Sequence, residues 1–356
     1  MSLQGSPRYL IIRRDNIGDL VCTTPFIAAL RNRHPHAYIG ALVNSYNREV
    51  LSGNPDIDEV FAYTKVKHRG PNQNLLGVLI GRLQMFRHIR RASIDLAILA
   101  TPGFQPRSLR LARLAGAKRV LGFVNREGDG GIDLGVPSAG PQGLHEVEEV
   151  FRLASALGLD ESPPRMKIVP DPRMKGDLDL KIASHFGARR GPLIAVHISA
   201  RKASQRWPGE RFAALMKQLS SAFDARVLLL WSPGMASNTL HPGDDEKAQA
   251  VAEASDGATV LALPTLQLGD LIAAVAACDL MICADGGAMH IAAALTKPLV
   301  CLFGDSAATR WHPWKSHYEL LQRDSKKVDD ISVEQVFSAV GRLLKTRPGN
   351  ELGSST

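Results

Sequence analysis

Apolar positions along this chain fall into short runs of strand length that alternate with stretches of helical periodicity. Residues 8–13 form a β-rich run centred on Tyr-Leu-Ile-Ile. A polar loop, 14–19, follows it, and helical periodicity covers 20–33. Further strand-length runs lie at 38–43, 59–63, 95–100 and 119–122, with helices expected at 75–91, 107–115 and 145–157. In the 75–91 stretch Leu75, Leu76, Leu79, Leu83, Phe86 and Ile89 fall near one face, and Arg82, Arg87, Arg90 and Arg91 occupy the rest. The glycine-rich segment 128–143 reads as an irregular loop, and the Pro-rich segment 163–172 as a link between domains.

A second series follows. Helices are expected at 181–186, 210–223, 246–255 and 268–277, and strands at 193–198, 225–231 and 259–262. Polar loops occupy 199–208 and 232–245. The clearest pattern is 279–304. An apolar run over 280–283 meets Asp285-Gly286-Gly287, a helix of small residues covers 288–295, Lys297-Pro298 stops it, and 299–303 is a second buried strand. A last helix covers 331–345, and the polar segment 347–356 reads as a disordered tail. Alternating strands and helices imply α/β architecture with parallel sheets covered on both faces, and 356 residues suffice for two such domains.

Two turns carry candidate chemistry. At 285–287 the glycines leave the first amides of a helix uncovered, a place suited to phosphate; the same turn is also an ordinary connection in an α/β core. The loop holding Asp15, Gly18 and Asp19 ends the first strand, where ligands bind in open α/β sheets. Asp19 at that position is either a helix cap or a working carboxylate. Neither turn matches the Gly-x-Gly-x-x-Gly dinucleotide fingerprint, and no Walker sequence occurs.

Composition narrows the classes. No apolar run reaches about 18 residues, the length of a membrane span, and the N-terminal segment lacks the pattern of a secretory signal. Cys22, Cys278, Cys283 and Cys301 have neither zinc nor disulfide spacing, so a reducing cytoplasm is expected. The net charge is +8, and residues 65–119 hold twelve Lys/Arg against one acid, Asp95. Such a cluster is either a solvated face or a site for an anionic partner: nucleic acid, an anionic membrane or a phosphorylated substrate. Sparse aromatics and the lack of a nucleic-acid motif argue against the first of these partners.

Four motifs in order resemble the heptosyltransferases of glycosyltransferase family 9: Ile11-Ile-Arg-Arg-Asp-Asn-Ile-Gly-Asp-Leu-Val-Cys-Thr-Thr-Pro25 with Arg31 and Pro35, His145-Glu-Val-Glu148, Trp207-Pro208 with Arg211-Phe212, and 279–304 with Arg310-Trp311. The resemblance runs from about residue 8 to residue 345. It implies a GT-B fold of two Rossmann-like domains facing a cleft, residues 1–165 for the acceptor and 166–330 for the donor. The helix at 331–346 is then expected to cross back to the first domain.

The resemblance further implies inverting transfer of heptose from ADP-heptose to a lipopolysaccharide core, without cofactor or metal. Asp19 matches the family's catalytic base, and Asp285 its contact to the donor sugar. Gly286, Gly287, Ala288 and His290 belong to the same donor turn. Glu246 stands where a ribose-binding acid is expected, and Lys202, Gln205 and Arg206 where the diphosphate's counter-charge is. Two positions depart from the pattern. Gln205 replaces the family's usual Lys, and Gly286 its usual Thr, so side-chain contacts to the donor are expected to be fewer. Asp15, Gly18, Arg82, Arg107 and Arg110 are acceptor-side candidates, with Asp15 free to pair with Arg14 instead. The expected location is the cytoplasm, peripheral to the inner face of the inner membrane, with no nucleic acid bound. An epimerase on the same fold and a non-catalytic nucleotide or glycan binder are the alternatives.

Overall fold

A computed structural model describes residues 6–63, 75–125, 130–237 and 243–346. The chain divides into two units, Met1–Val169 and Pro170–Thr356. The division falls within the Pro-rich segment. Pro172 itself is not linker: it is the first residue of the helix Pro172–Phe186, which Asp171 caps by accepting from the amides of Arg173 (2.8 Å) and Met174 (3.2 Å).

The first unit carries strands β1 Arg8–Ile12, β2 Tyr38–Asn44, β3 Glu59–Tyr63, β4 Leu96–Leu99, β5 Arg119–Val124 and β6 Leu134–Pro137. All pair in parallel, in the order β3-β2-β1-β4-β5-β6. The second carries β7 Leu193–His197, β8 Arg226–Trp231, β9 Val260–Pro264, β10 Leu280–Ala284, β11 Leu299–Phe303 and β12 Tyr318–Gln322, in the order β12-β11-β10-β7-β8-β9. The two sheets have one topology. In each, the chain starts at a central strand, moves outward on one side, then returns to build the other side. The strand order therefore reverses between β1 and β4 and between β7 and β10, and ligands bind at the carboxyl ends of strands at such points.

The inner strands are apolar because both faces are covered. Every residue of β7, β10 and β11 is buried. Each large aliphatic side chain so buried contributes about 1.5–3 kcal/mol. The helix Gly287–Ala294 lies close on this sheet because Ala288, Ala292, Ala293 and Ala294 leave its flank slim.

Several expectations are corrected. The helix over 20–33 is two helices, Ile17–Val21 and Thr24–Arg33. Pro25 has no N–H and sits in the first turn of the second, so the first must end before it. The segment 128–143 contains β6, an edge strand whose Gly135 lies against Val124 and whose Pro137 ends the pairing. The edge strand β12 has no counterpart among the runs recognised in the sequence; its residues are only half-buried and alternate weakly. The helix Val333–Lys345 spends its apolar face within the second unit, where Val336, Ala339, Val340 and Leu343 join the core and Phe337 stacks on Phe223 at 5.2 Å. The tail expected at 347–356 lies outside the described residues.

Candidate active site

The first unit's candidate site is built around a buried cation. Arg13 follows β1 and is 1% exposed. Its Nη2 lies 2.7 Å from Glu146 Oε1 and 3.2 Å from Asp19 Oδ1, and its Nη1 donates to the Ala100 carbonyl after β4. Its Nε is 3.0 Å from Asp15 Oδ2 without the alignment of a hydrogen bond. Burial works against the guanidinium's charge, but Glu146, Asp19 and Asp15 together outweigh it and hold the pKa above its ordinary value.

Asp19 is the third residue of the helix Ile17–Val21, and Asn16 is the N-cap. Its Oδ2 accepts from the Asn16 amide at 2.8 Å and from Asn16 Nδ2 at 2.9 Å, while Oδ1 faces Arg13. The geometry is that of a helix cap. The carboxylate closes the helix start, as in a capping box, and it remains 14% exposed, which Glu146 at 1% is not. Gly18 is buried inside the same helix, where its carbonyl accepts from the Cys22 amide at 2.9 Å.

Asp15 pairs with Arg13, not Arg14. Its Oδ2 also accepts from Thr101 Oγ1 at 2.8 Å, and its main-chain carbonyl is held by Asn44 and Asn47 at 3.3 and 3.2 Å. Arg14 instead donates to the Tyr63 hydroxyl, and the guanidinia of Arg14 and Arg82 lie 5.3 and 5.6 Å from the Tyr63 ring centre. Arg82 is thus drawn to the carboxyl end of β3. Arg107 and Arg110 stand exposed on the helix Pro106–Leu114.

Arg13, Glu146 and Thr101 were not singled out as site residues from sequence. Two of them lay within recognised motifs, Arg13 in the first and Glu146 in His145-Glu-Val-Glu148. A buried charge cannot be told from an exposed one by motif alone.

The second unit's candidate site forms where β10 and β11 end. Asp285 follows β10, its amide donating to Leu302 O at 3.0 Å. Gln205 Nε2 donates to Asp285 Oδ2 at 2.8 Å and lies 3.0 Å from Ser306 Oγ. Gln205 is therefore not an idle substitute for Lys: buried beside Asp285, it orients the carboxylate. It supplies no charge, however. Burial raises the Asp285 pKa even though Ser306, Lys202 and Gln205 all favour the ionised form. Lys202 is exposed and acts on Asp285 through its charge, whereas Arg206 turns back to the Ala200 carbonyl at 3.0 Å.

The loop bearing these residues is fixed at several points. Trp207 is buried edge-on against Phe212, and its indole donates to Ile331 O at 2.9 Å. Lys247 Nζ reaches the carbonyls of Ile198 (3.0 Å) and Trp207 (2.9 Å), which flank the loop. Ser204 Oγ donates to Asp305 Oδ1 at 2.9 Å. Gly304 makes this approach possible, since a Cβ there would sit 2.1 Å from the Ser204 carbonyl oxygen. Gln322, at the end of β12, holds the far side by donating to the carbonyls of Gly304 and Ser306 at 2.8 and 2.9 Å.

Gly286 caps the helix Gly287–Ala294 with φ 156°, and a Cβ there would meet nothing within 4 Å. The space for a larger residue exists, but the backbone conformation suits glycine. Ala288 and His290 are buried in that helix, with His290 edge-on to Trp311 at 5.9 Å. Glu246 stands exposed on the first turn of Asp245–Ala254, and Asp245, expected in the preceding loop, bonds the Trp231 indole at 2.7 Å and the Gly234 amide at 2.8 Å.

Comparison with known proteins adds to this geometry. The sequence profile of glycosyltransferase family 9 (heptosyltransferase) matches residues 82–339. The chain belongs to this family. Membership makes it a glycosyltransferase. It is 24% identical over 359 residues to lipopolysaccharide heptosyltransferase 3 of Escherichia coli, covering 95% of this chain and 98% of the relative. It is 26% identical over 313 residues to lipopolysaccharide heptosyltransferase 2 of Salmonella typhimurium, covering 84% and 83%. Among solved structures, a family 9 glycosyltransferase of Veillonella parvula superposes with a TM-score of 0.81 at 23% identity, covering 95% of this chain and 97% of that one. The Escherichia coli ADP-heptose heptosyltransferase II superposes with a TM-score of 0.73 at 21% identity, covering 95% and 98%. These likenesses give the architecture as the GT-B fold.

Proposed function

We propose that this glycosyltransferase moves a heptose from ADP-heptose to a lipopolysaccharide core, inverting the anomeric centre, with Asp19 as the general base. The donor and acceptor classes are supported by the relatives named lipopolysaccharide heptosyltransferases and by a solved neighbour of 17% identity bound to ADP-2-deoxy-2-fluoro heptose. The observation that carries the assignment of the base is the setting of Asp19. It ends the central strand's loop and stays partly exposed, and Arg13 and Asn16 fix its orientation.

In one displacement the acceptor oxygen attacks the anomeric carbon and its proton passes to Asp19. The bond to the diphosphate breaks, and ADP leaves with the bonding electrons. Arg13 does not touch substrate in this scheme. It positions Asp19 beside Glu146.

The growing charge on the diphosphate is met by protein groups rather than a metal: Lys202, Arg206 and the first amides of the helix Gly287–Ala294. Asp285 contacts the donor sugar, oriented by Gln205. Gly286, Gly287 and Ala288 leave the backbone approachable, with His290 behind them and Glu246 assigned to the ribose. Asp15, Gly18, Arg82, Arg107 and Arg110 serve the anionic acceptor, which the cytoplasmic face of a membrane presents.

The test is incubation with ADP-heptose and a lipopolysaccharide core lacking its heptoses. Release of ADP and a product heavier by one heptose is expected. Transfer from a different nucleotide sugar alone would reassign the donor, and no transfer from any of them would sink the proposal.

A further inference from the structure

We infer that the exposed face of the helix Leu75–Arg91 docks the protein on an anionic lipid bilayer. Leu79, Ile80 and Leu83 are 48%, 47% and 53% exposed. At about 100° per residue they share one arc of the helix, and the same arc continues through Arg87 and Arg91. The helix has already satisfied its own core. Ile89 is buried beneath the first unit's sheet, and Met85 and Phe86 pack against the same cluster. The exposed leucines therefore belong to a second apolar face, not to a badly buried first one.

Charge selects the occupant. The helix reads LLGVLIGRLQMFRHIRR, without one acidic residue. The next helix, Pro106–Leu114, is PRSLRLARL, again without an acid. The two meet where Arg90 Nε donates to the Leu114 carbonyl at 2.9 Å, and Leu114 is itself 50% exposed. Apolar tips set among guanidinia on two helices that carry no carboxylate of their own, with Glu59 beside His88 and Asp133 beside Arg113 as the acids nearest in the ion pairs of these helices, match the boundary between phosphate headgroups and acyl chains. There the leucines leave water, and the arginines stay with the phosphates. An acidic protein groove would satisfy the charges. It would not call for apolar tips interleaved with arginines over two helices, which a continuous anionic and apolar boundary does.

The full-length chain is tested by co-sedimentation with vesicles of phosphatidylethanolamine and phosphatidylglycerol, and with vesicles of phosphatidylcholine alone. The assay needs no turnover, so its outcome is separable from that of the transfer reaction. The wild type is expected to sediment with the anionic vesicles only, and to be released as salt rises. Leu79→Ser with Leu83→Ser, and separately Arg87→Ser with Arg91→Ser, should each weaken partitioning at least about tenfold. Because these residues are exposed, both variants should keep the wild-type circular dichroism and thermal unfolding. A wild type that stays in the supernatant with anionic vesicles would overturn the inference. So would partitioning unchanged in both variants, or a concentration-dependent dimer that the leucine variant abolishes in the absence of vesicle binding, which would give the face to a second copy.

Discussion

His197 ends β7 next to Cys283 of β10 and is buried with its Nδ1 lacking a partner among the described residues. Burial, aided by the nearby Lys247 charge, lowers its pKa from 6.5 to about 4. The folded protein thus holds this imidazole neutral, while the unfolded chain takes up its proton near pH 6.5. Between those values the unfolded state binds more protons. Stability is therefore fully present above pH 6.5 and is lost as pH falls toward 4. The loss is on the order of 3 kcal/mol over that interval. Denaturant titrations at several pH values should find this slope in the wild type and a shallower one in His197→Asn; equal slopes would mean that the imidazole does not carry the effect. Asp285 shows the opposite effect of burial, a carboxylate whose pKa is pushed up by desolvation although the hydrogen bond from Gln205 favours its ionised form. The departure at Gln205 was legible in the sequence, but its consequence was not. Only the fold brings the amide to Asp285, 80 residues away.

Among elements, the short connections at the ends of β10 and β11 set the second unit's candidate site. Gly304 lets the 203–205 turn sit against the β11 end, and that turn carries Gln205. Gly304→Ala should displace it, costing about 1–3 kcal/mol in chemical denaturation and weakening ADP binding in calorimetry. Unaltered stability and affinity would mean that the turn yields without effect. The strands of both sheets that run through the core were readable as apolar runs, because burial on two faces leaves no room for polar residues. The edge strands β6 and β12 were not. One carries glycine and proline, and the other is only half-buried, so neither shows the apolar run of an inner strand. The break after Val21 was also readable in principle, since Pro25 cannot continue a helix begun at Ile17. Helical periodicity alone passes over it.

At the scale of the whole chain, two units of one topology each place a carboxylate at the reversal of strand order, Asp19 in the first and Asp285 in the second. The motifs located both residues in advance. They did not reveal what surrounds them, above all that Arg13 and Glu146 form a buried pair behind Asp19, because burial is a property of the folded unit. In the proposed function the second unit would hold the donor and Asp19 of the first would activate the acceptor. A single comparison separates these tasks. Asp19→Asn keeps the acceptor of the Asn16 hydrogen bonds but loses the base. Its turnover of ADP-heptose with a heptose-deficient core should fall about 10²–10⁴-fold, with ADP affinity by calorimetry at the wild-type value. Turnover near the wild-type rate in Asp19→Asn, at unchanged ADP affinity, would contradict the assignment of Asp19 as the base.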